Sequence, residues 1–168
     1  MAESRPASCA CGAVRFHLTS APMFIHCCHC TDCQRQTGSA FVVNALIEAD
    51  RVVVDAGETE AVPLPTDSGK PHVVSRCPIC RTALWSTYGG REQVRFVRVG
   101  TLDDARAFTP DVHIFTRSRV PWVTLPGAGA LGSTTGRTPG VFEVYYDAKV
   151  EWPPESLARR KAAMSAGA

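Results

Sequence analysis

Cys9-Ala10-Cys11-Gly12-Ala13-Val14-Arg15-Phe16-His17-Leu18 joins the two features that decide the fold: a pair of thiols one residue apart, and a run that alternates apolar and polar residues. The alternation from Val14 has the period of a half-buried strand. The thiol pair, with Gly12 easing the turn, has the form of a metal knuckle. Cys77-Pro78-Ile79-Cys80 is a second knuckle, two thiolates on a tight turn. Together Cys9, Cys11, Cys77 and Cys80 make the closed set of four donors typical of structural zinc. A shared metal ties the N-terminal strand to the middle of the chain. Its binding free energy, on the order of 10 kcal/mol, is folding free energy. Either half alone is weak, and Cys9 by itself also reads as a free thiol near a frayed end.

Between the knuckles lies His26-Cys27-Cys28-His29-Cys30-Thr31-Asp32-Cys33. On an extended entry, alternate residues share a face. His26, Cys28 and Cys30 then point one way, Cys27 and His29 the other. Cys28, Cys30 and Cys33 are the expected ligands, with Cys33 reaching back from a short helix. Three thiolates are one short of a tetrahedron, which is the pattern of a catalytic zinc with an open position. Cys27 reads as a small buried hydrophobe. His26 is the alternative fourth ligand, and it would close the site. Three thiolates leave zinc a weak Lewis acid toward water and a good soft partner for sulfur. A thiol entering the fourth position loses its proton and becomes a nucleophile. Chemistry at sulfur is therefore favoured over hydrolysis.

The chain has 168 residues, 45% hydrophobic and 20% charged, which suits one domain, 1–168, with a core of ordinary size. The net charge of +2 gives no bulk electrostatic case for nucleic acid or a membrane surface. Fifteen of the eighteen basic residues are Arg, whose fork suits small anionic ligands. Met1 to Ser8 holds no apolar run and no stretch reaches the length of a membrane helix. A cytoplasmic location is expected, where thiols stay reduced and serve metals or catalysis rather than disulfides.

Val14–Leu18, Phe41–Ile47, Arg51–Val54, His72–Ser75, Ala83–Tyr88, Val94–Val99 and Val112–Thr116 read as strands. Helical signal is sparse: a short helix capped at Thr31 or Asp32 and stopped by Gly38, a turn at Leu102–Arg106, and a C-terminal helix from Pro154 to about Met164. The stretch 126–140, rich in Gly, Ser and Thr, reads as a loop inside the domain, followed by a C-terminal extension over 141–168. The fold class is mainly β, with zinc knuckles and few short helices. Trp85 and Trp122 read as core.

The ordered set Cys-x-Cys-Gly-Ala-Val-Arg-Phe from Cys9, Cys-His-Cys-x-x-Cys-Gln-Arg-Gln-Thr-Gly-Ser-Ala-Phe from Cys28, and Cys-Pro-x-Cys from Cys77 resembles the glutathione-dependent formaldehyde-activating enzyme family, which shares its domain with centromere protein V. His113-Ile114-Phe115-Thr116-Arg117-Ser118-Arg119-Val120-Pro121-Trp122 resembles that family's downstream signature, so the likeness spans roughly residues 7 to 125. The resemblance implies an Mss4-like β-fold. It implies a structural zinc at Cys9, Cys11, Cys77 and Cys80 and a catalytic zinc at Cys28, Cys30 and Cys33, two per chain. The reaction it implies is addition of glutathione to formaldehyde, or the reverse, as a carbon–sulfur lyase. The chain departs from the pattern in Cys27, in the 126–140 loop and in the C-terminal extension.

Other candidates carry two readings each. Arg35, Gln36 and Thr37 follow the open site on the next turn and either touch a ligand or face solvent. His113 is either a proton shuttle, given its near-neutral titration, or a hydrogen-bonded structural residue. Arg117 and Arg119 share parity on an extended segment and either clamp a substrate carboxylate or form a charged edge. The leading reading is a zinc-dependent lyase acting on a glutathione or other low-molecular-weight thiol adduct. The alternative is a zinc-binding interaction module with a closed second site.

Overall fold

The computed structural model describes residues 4–125 and 138–166. In chain order its elements are β1 (Arg5–Ser8), β2 (Arg15–Leu18), β3 (Phe24–Cys28), α1 (Thr31–Thr37), β4 (Val42–Glu48), β5 (Val52–Ala56), β6 (Glu60–Leu64), β7 (His72–Arg76), β8 (Ala83–Tyr88), β9 (Val94–Arg98), β10 (Val112–Ile114), β11 (Gly140–Val141), α2 (Ala148–Glu151) and α3 (Pro154–Ala166). The class is mainly β with few short helices. A small sheet runs β1-β2-β5, and an eight-stranded sheet runs β11-β10-β3-β4-β9-β8-β7-β6. Pairing is antiparallel except where β10 lies parallel to β3 and β11.

Two apolar clusters sit on the two faces of the large sheet. Phe16 and Leu18 of the small sheet pack with Ile25, Ala45, Ile47, Leu84 and Val97. On the opposite face Phe24, Cys28, Val42, Leu46, Val112 and Ile114 meet Tyr146 and Trp152 from the C-terminal segment. The alternation within β3 thus divides neighbouring cysteines between two environments. Arg159 holds α3 to β4 by a two-pronged ion pair with Glu48, Nε to Oε1 at 2.8 Å and Nη2 to Oε2 at 2.6 Å. Ser156 Oγ donates to the carbonyl of Met23 at 2.7 Å.

Several expectations change. The cap of α1 is Cys30, not Thr31 or Asp32: its sulfur accepts the Cys33 N–H at 3.3 Å. Gly38 stops the helix as expected, at φ +63°, where a β-carbon is disfavoured. The strand at Val112 ends at Ile114, because Phe115 adopts φ +55° and Thr116–Ser118 coils into a 3-10 turn. Arg117 and Arg119 therefore share no strand face. The helical turn over Leu102–Arg106 is a 3-10 turn at Ala105–Ala107. Trp85 is buried, but Trp122 is 76% exposed, carried outward on the turn after Pro121. β1 and β6 had no sequence signal. β6 carries Pro63 and lies at the sheet edge, where proline removes no needed donor. The 126–140 loop falls outside the described residues up to position 137.

Candidate metal centre

The first sulfur set comes from the loop before β2 and the turn between β7 and β8. Cys9, Cys11, Cys77 and Cys80 lie with their sulfurs within 4.8 Å of one another, and each set described here could hold a metal ion. Cys9 Sγ is 3.5 Å from Cys11 Sγ, and Cys11 Sγ is 3.9 Å from Cys77 Sγ. The local fold presents donors to these sulfurs. Val14 N–H points at Cys9 Sγ at 3.2 Å, and Thr82 Oγ1 lies 3.1 Å from Cys80 Sγ. Those Thr82 contacts, side chain first and backbone second, hold the Cys80 thiol down to about 5. Cys9 and Cys77 are buried in the core between the sheets, so this set is part of the packing.

The second set is Cys28, Cys30 and Cys33, again within 4.8 Å of one another. Cys28 ends β3, Cys30 caps α1, and Cys33 stands on its first turn. The helix start explains the grouping: the cap geometry folds Cys33 back over Cys30. The Cys28 and Cys33 side chains, then backbone N–H groups, hold the Cys30 thiol down to about 2. Contact with Cys30 and Cys33, then burial, pushes Cys28 up. Three sulfurs this close cannot all ionise unaided. An all-sulfur, three-donor set fits a soft or borderline divalent cation such as zinc.

His26 is not brought to this set. Its Nε2 accepts from the Tyr146 hydroxyl, which itself accepts from Trp152 Nε1 at 2.6 Å. Burial pushes the His26 ring down to about 3, so it stays neutral. Cys27, His29 and His113 form a third group on the other face of β3. His29 Nε2 lies 3.0 Å from His113 Nδ1 and 3.6 Å from Cys27 Sγ. His29 Nδ1 is buried without a partner, so this group lacks the outer hydrogen bond that metal-bound imidazoles almost always make.

A cavity of about 610 Å³ opens beside α1; Cys80 of the first set lines it, whereas Cys28, Cys30 and Cys33 do not. Gln36, Thr37, Val42, Arg76, Cys80 and Arg98 line it. Gln36 and Thr37 were expected at the site; Arg35 is exposed and does not line the cavity. Arg117 is exposed. Arg119 spends its guanidinium on the carbonyls of Val120, Pro121 and Val123. Arg98 and Asn44, buried beside α1, were missed, as were Tyr145 and Tyr146 of the C-terminal segment. Tyr145 stacks on Tyr146 with centroids 4.7 Å apart and meets His26 edge-on at 5.9 Å.

The family model described as glutathione-dependent formaldehyde-activating enzyme matches residues 4–118, a span that includes all three sulfur-bearing segments. The chain belongs to that family. A Halomonas elongata protein, named as a candidate glutathione-dependent formaldehyde-activating enzyme, is 28% identical over 126 residues, covering 70% of this chain and 78% of that one. A crystal structure of a Rhodobacter sphaeroides protein aligns with 80% of this chain and 98% of its own, at 16% identity and a TM-score of 0.47. The family match ends before β11, α2 and α3, so the aromatic cover over His26 and Cys28 lies outside the matched region.

Proposed function

We propose that this protein is a zinc-dependent carbon–sulfur lyase that joins a low-molecular-weight thiol, glutathione first among them, to formaldehyde and catalyses the reverse cleavage. The observation that carries this reading is the convergence of Cys28, Cys30 and Cys33, whose sulfurs lie within 4.8 Å of one another, one donor short of a tetrahedron. Cys9, Cys11, Cys77 and Cys80 hold a second zinc as a fold staple. The same reading includes a single Mss4-like domain in the cytoplasm. Among the described residues no helix is long and apolar enough to cross a membrane.

A zinc ion held by Cys28, Cys30 and Cys33 would supply acidification of an entering thiol. The chain does the rest. Gln36 and Thr37, one turn beyond Cys33 on α1, are placed to meet the body of the thiol. The sulfur lone pair forms the bond to the formaldehyde carbon, and the carbonyl π pair moves to oxygen. That oxygen takes up one proton, matching the one the thiol released, so addition is proton-neutral overall. Cleavage runs the same steps backwards. Two imidazoles share this side of the sheet: His26, buried against Tyr146, and His72, with Nδ1 3.3 Å from Gln36 Nε2, whereas His113 faces the opposite side.

The test follows S-hydroxymethylglutathione formation from carbon-13 formaldehyde and glutathione by NMR. Wild-type protein accelerates exchange, and Cys30→Ser, still folded, does not. Full turnover by folded Cys30→Ser would overturn the mechanism.

A further inference from the structure

Arg98 ends β9 and is 7% exposed. Its Nη1 donates to Asn44 Oδ1 and its Nη2 to Gln36 Oε1, the latter at 3.5 Å, while its Nε is buried without a partner. Among the described residues no carboxylate forms an ion pair with it. A buried guanidinium is costly unless something compensates its charge. Burial works against its charge, the sulfurs of Cys33, Cys28 and Cys30 support it when ionised, and Arg76 opposes it. Gln36 stands one turn after Cys33 on α1, so the same side chain ties the guanidinium to the helix that carries Cys33 and is capped by Cys30.

We propose that Arg98 is a positioning residue of the Cys28–Cys30–Cys33 site: the fixed buried cation that balances its thiolates and favours an anionic sulfur as the fourth donor. This rests on the reading of the trio as a zinc site. Three thiolates around a divalent cation leave one negative charge, and a fourth thiolate adds another. In a buried site that second charge is disfavoured unless a cation stands beside it. Arg98 supplies one that needs no rearrangement when the thiol enters. A neutral fourth donor, such as water, gains less from it.

The test uses full-length protein loaded with cobalt(II), whose thiolate charge-transfer bands report each sulfur donor. The probes are 2-mercaptoethanol, neutral apart from its sulfur, and glutathione. The variants are Arg98→Gln, which removes the charge, and Arg98→Lys, which keeps it. Arg98→Gln is expected to retain cobalt at the trio and to bind both thiols about tenfold more weakly or worse. Arg98→Lys is expected to stay within about threefold of wild type, because the point charge survives although the fork is lost. If Arg98→Gln fails to fold, Arg98→Met with Asn44→Leu removes the cation together with its acceptor, and the same loss is expected. Unchanged 2-mercaptoethanol affinity in the neutral variants overturns the proposal. A loss confined to glutathione also overturns it and makes Arg98 a carboxylate anchor. Equal losses in Arg98→Gln and Arg98→Lys overturn it in favour of a purely structural role. Failure of wild-type protein to load cobalt at the trio instead sinks the zinc reading itself.

Discussion

His113 Nδ1 lies 3.0 Å from His29 Nε2, with the two rings stacked at a centroid distance of 5.3 Å. The parallel register pairs His113 with Cys27 and Ile114 with Cys28. His113 therefore shares a face with Cys27 and His29, and the sheet separates it from the Cys28 side chain. Burial, then the neighbouring His29 charge, pushes its ring down to about 4, so the pair is neutral at physiological pH. His113→Ala is expected to keep metal at both sulfur sets and formaldehyde–thiol turnover within severalfold of wild type. It should lower stability by about 1–3 kcal/mol, the cost of leaving buried His29 without its partner. Metal analysis, turnover and thermal melting check this together. A loss of turnover with metal and fold intact would return His113 to the chemistry.

The two sulfur sets should fail differently. Cys77 is fully buried and belongs to the core between the sheets. Cys77→Ser removes a donor from a site whose binding contributes on the order of 10 kcal/mol to folding, so no cooperative thermal transition is expected. Cys30→Ser should lose one metal equivalent and keep its transition, with a shift of about 1 kcal/mol from the weakened helix cap. Chelator titration monitored by circular dichroism separates the sets: the trio empties first with the fold intact. Simultaneous loss of metal and fold at one chelator concentration would contradict this.

The Glu48–Arg159 pair should make α3 docking sensitive to acid. Burial pushes the Glu48 carboxyl up, but the Arg159 fork, its own backbone N–H and Arg51 together hold the group below its ordinary value. A depressed folded value means the stabilisation is complete above the unfolded value near 4.5 and fades as pH falls through the folded one. Glu48→Gln is expected to cost about 2 kcal/mol at pH 7, between the values for exposed and buried pairs. The gap between variant and wild type should close below pH 4.5. A gap that persists undiminished under acid would show that the pair's charge is not what docks the helix.

Gly57 guards the first knuckle from behind. It sits at φ +78°, and a β-carbon there would lie 2.2 Å from the Ala13 carbonyl oxygen. Ala13 precedes Val14, whose N–H reaches Cys9 Sγ. Gly57→Ala should therefore cost about 2 kcal/mol or more, combining left-handed strain with a backbone clash. It should also weaken metal retention at Cys9, Cys11, Cys77 and Cys80 while sparing the trio. Differential scanning calorimetry and metal stoichiometry measure both.

Much of the frame was legible because its signals are local. Val14–Leu18 and Val94–Val99 announce strands by alternation, and Gly38 announces the end of α1. The segregation of Cys27 from Cys28 follows from the two-residue period of a strand. What stayed hidden depends on contacts far along the chain. Tyr146 meets His26 across 120 residues, and no pattern near either residue signals the pairing. Arg98 lies in a strand with Arg95, and no local signal tells the two apart. In the structure Arg95 lies over the Trp85 ring at 4.8 Å, while Arg98 is buried beside α1. The two readings of His113 stayed open because only register fixes which face a strand residue takes. Arg117 and Arg119 were misplaced because the left-handed Phe115 breaks the strand before them.

The central claim is that Cys28, Cys30 and Cys33 hold a zinc ion open to an incoming sulfur. Zinc K-edge X-ray absorption on the wild-type protein tests it most directly, before and after addition of glutathione. One four-sulfur site and one three-sulfur site predict an average of about 3.5 sulfur donors per zinc without thiol, rising to about 4 with it. Cys30→Ser should hold one zinc with four sulfurs and show no response. Four sulfurs per zinc before any thiol is added, or no change after it, would contradict the account.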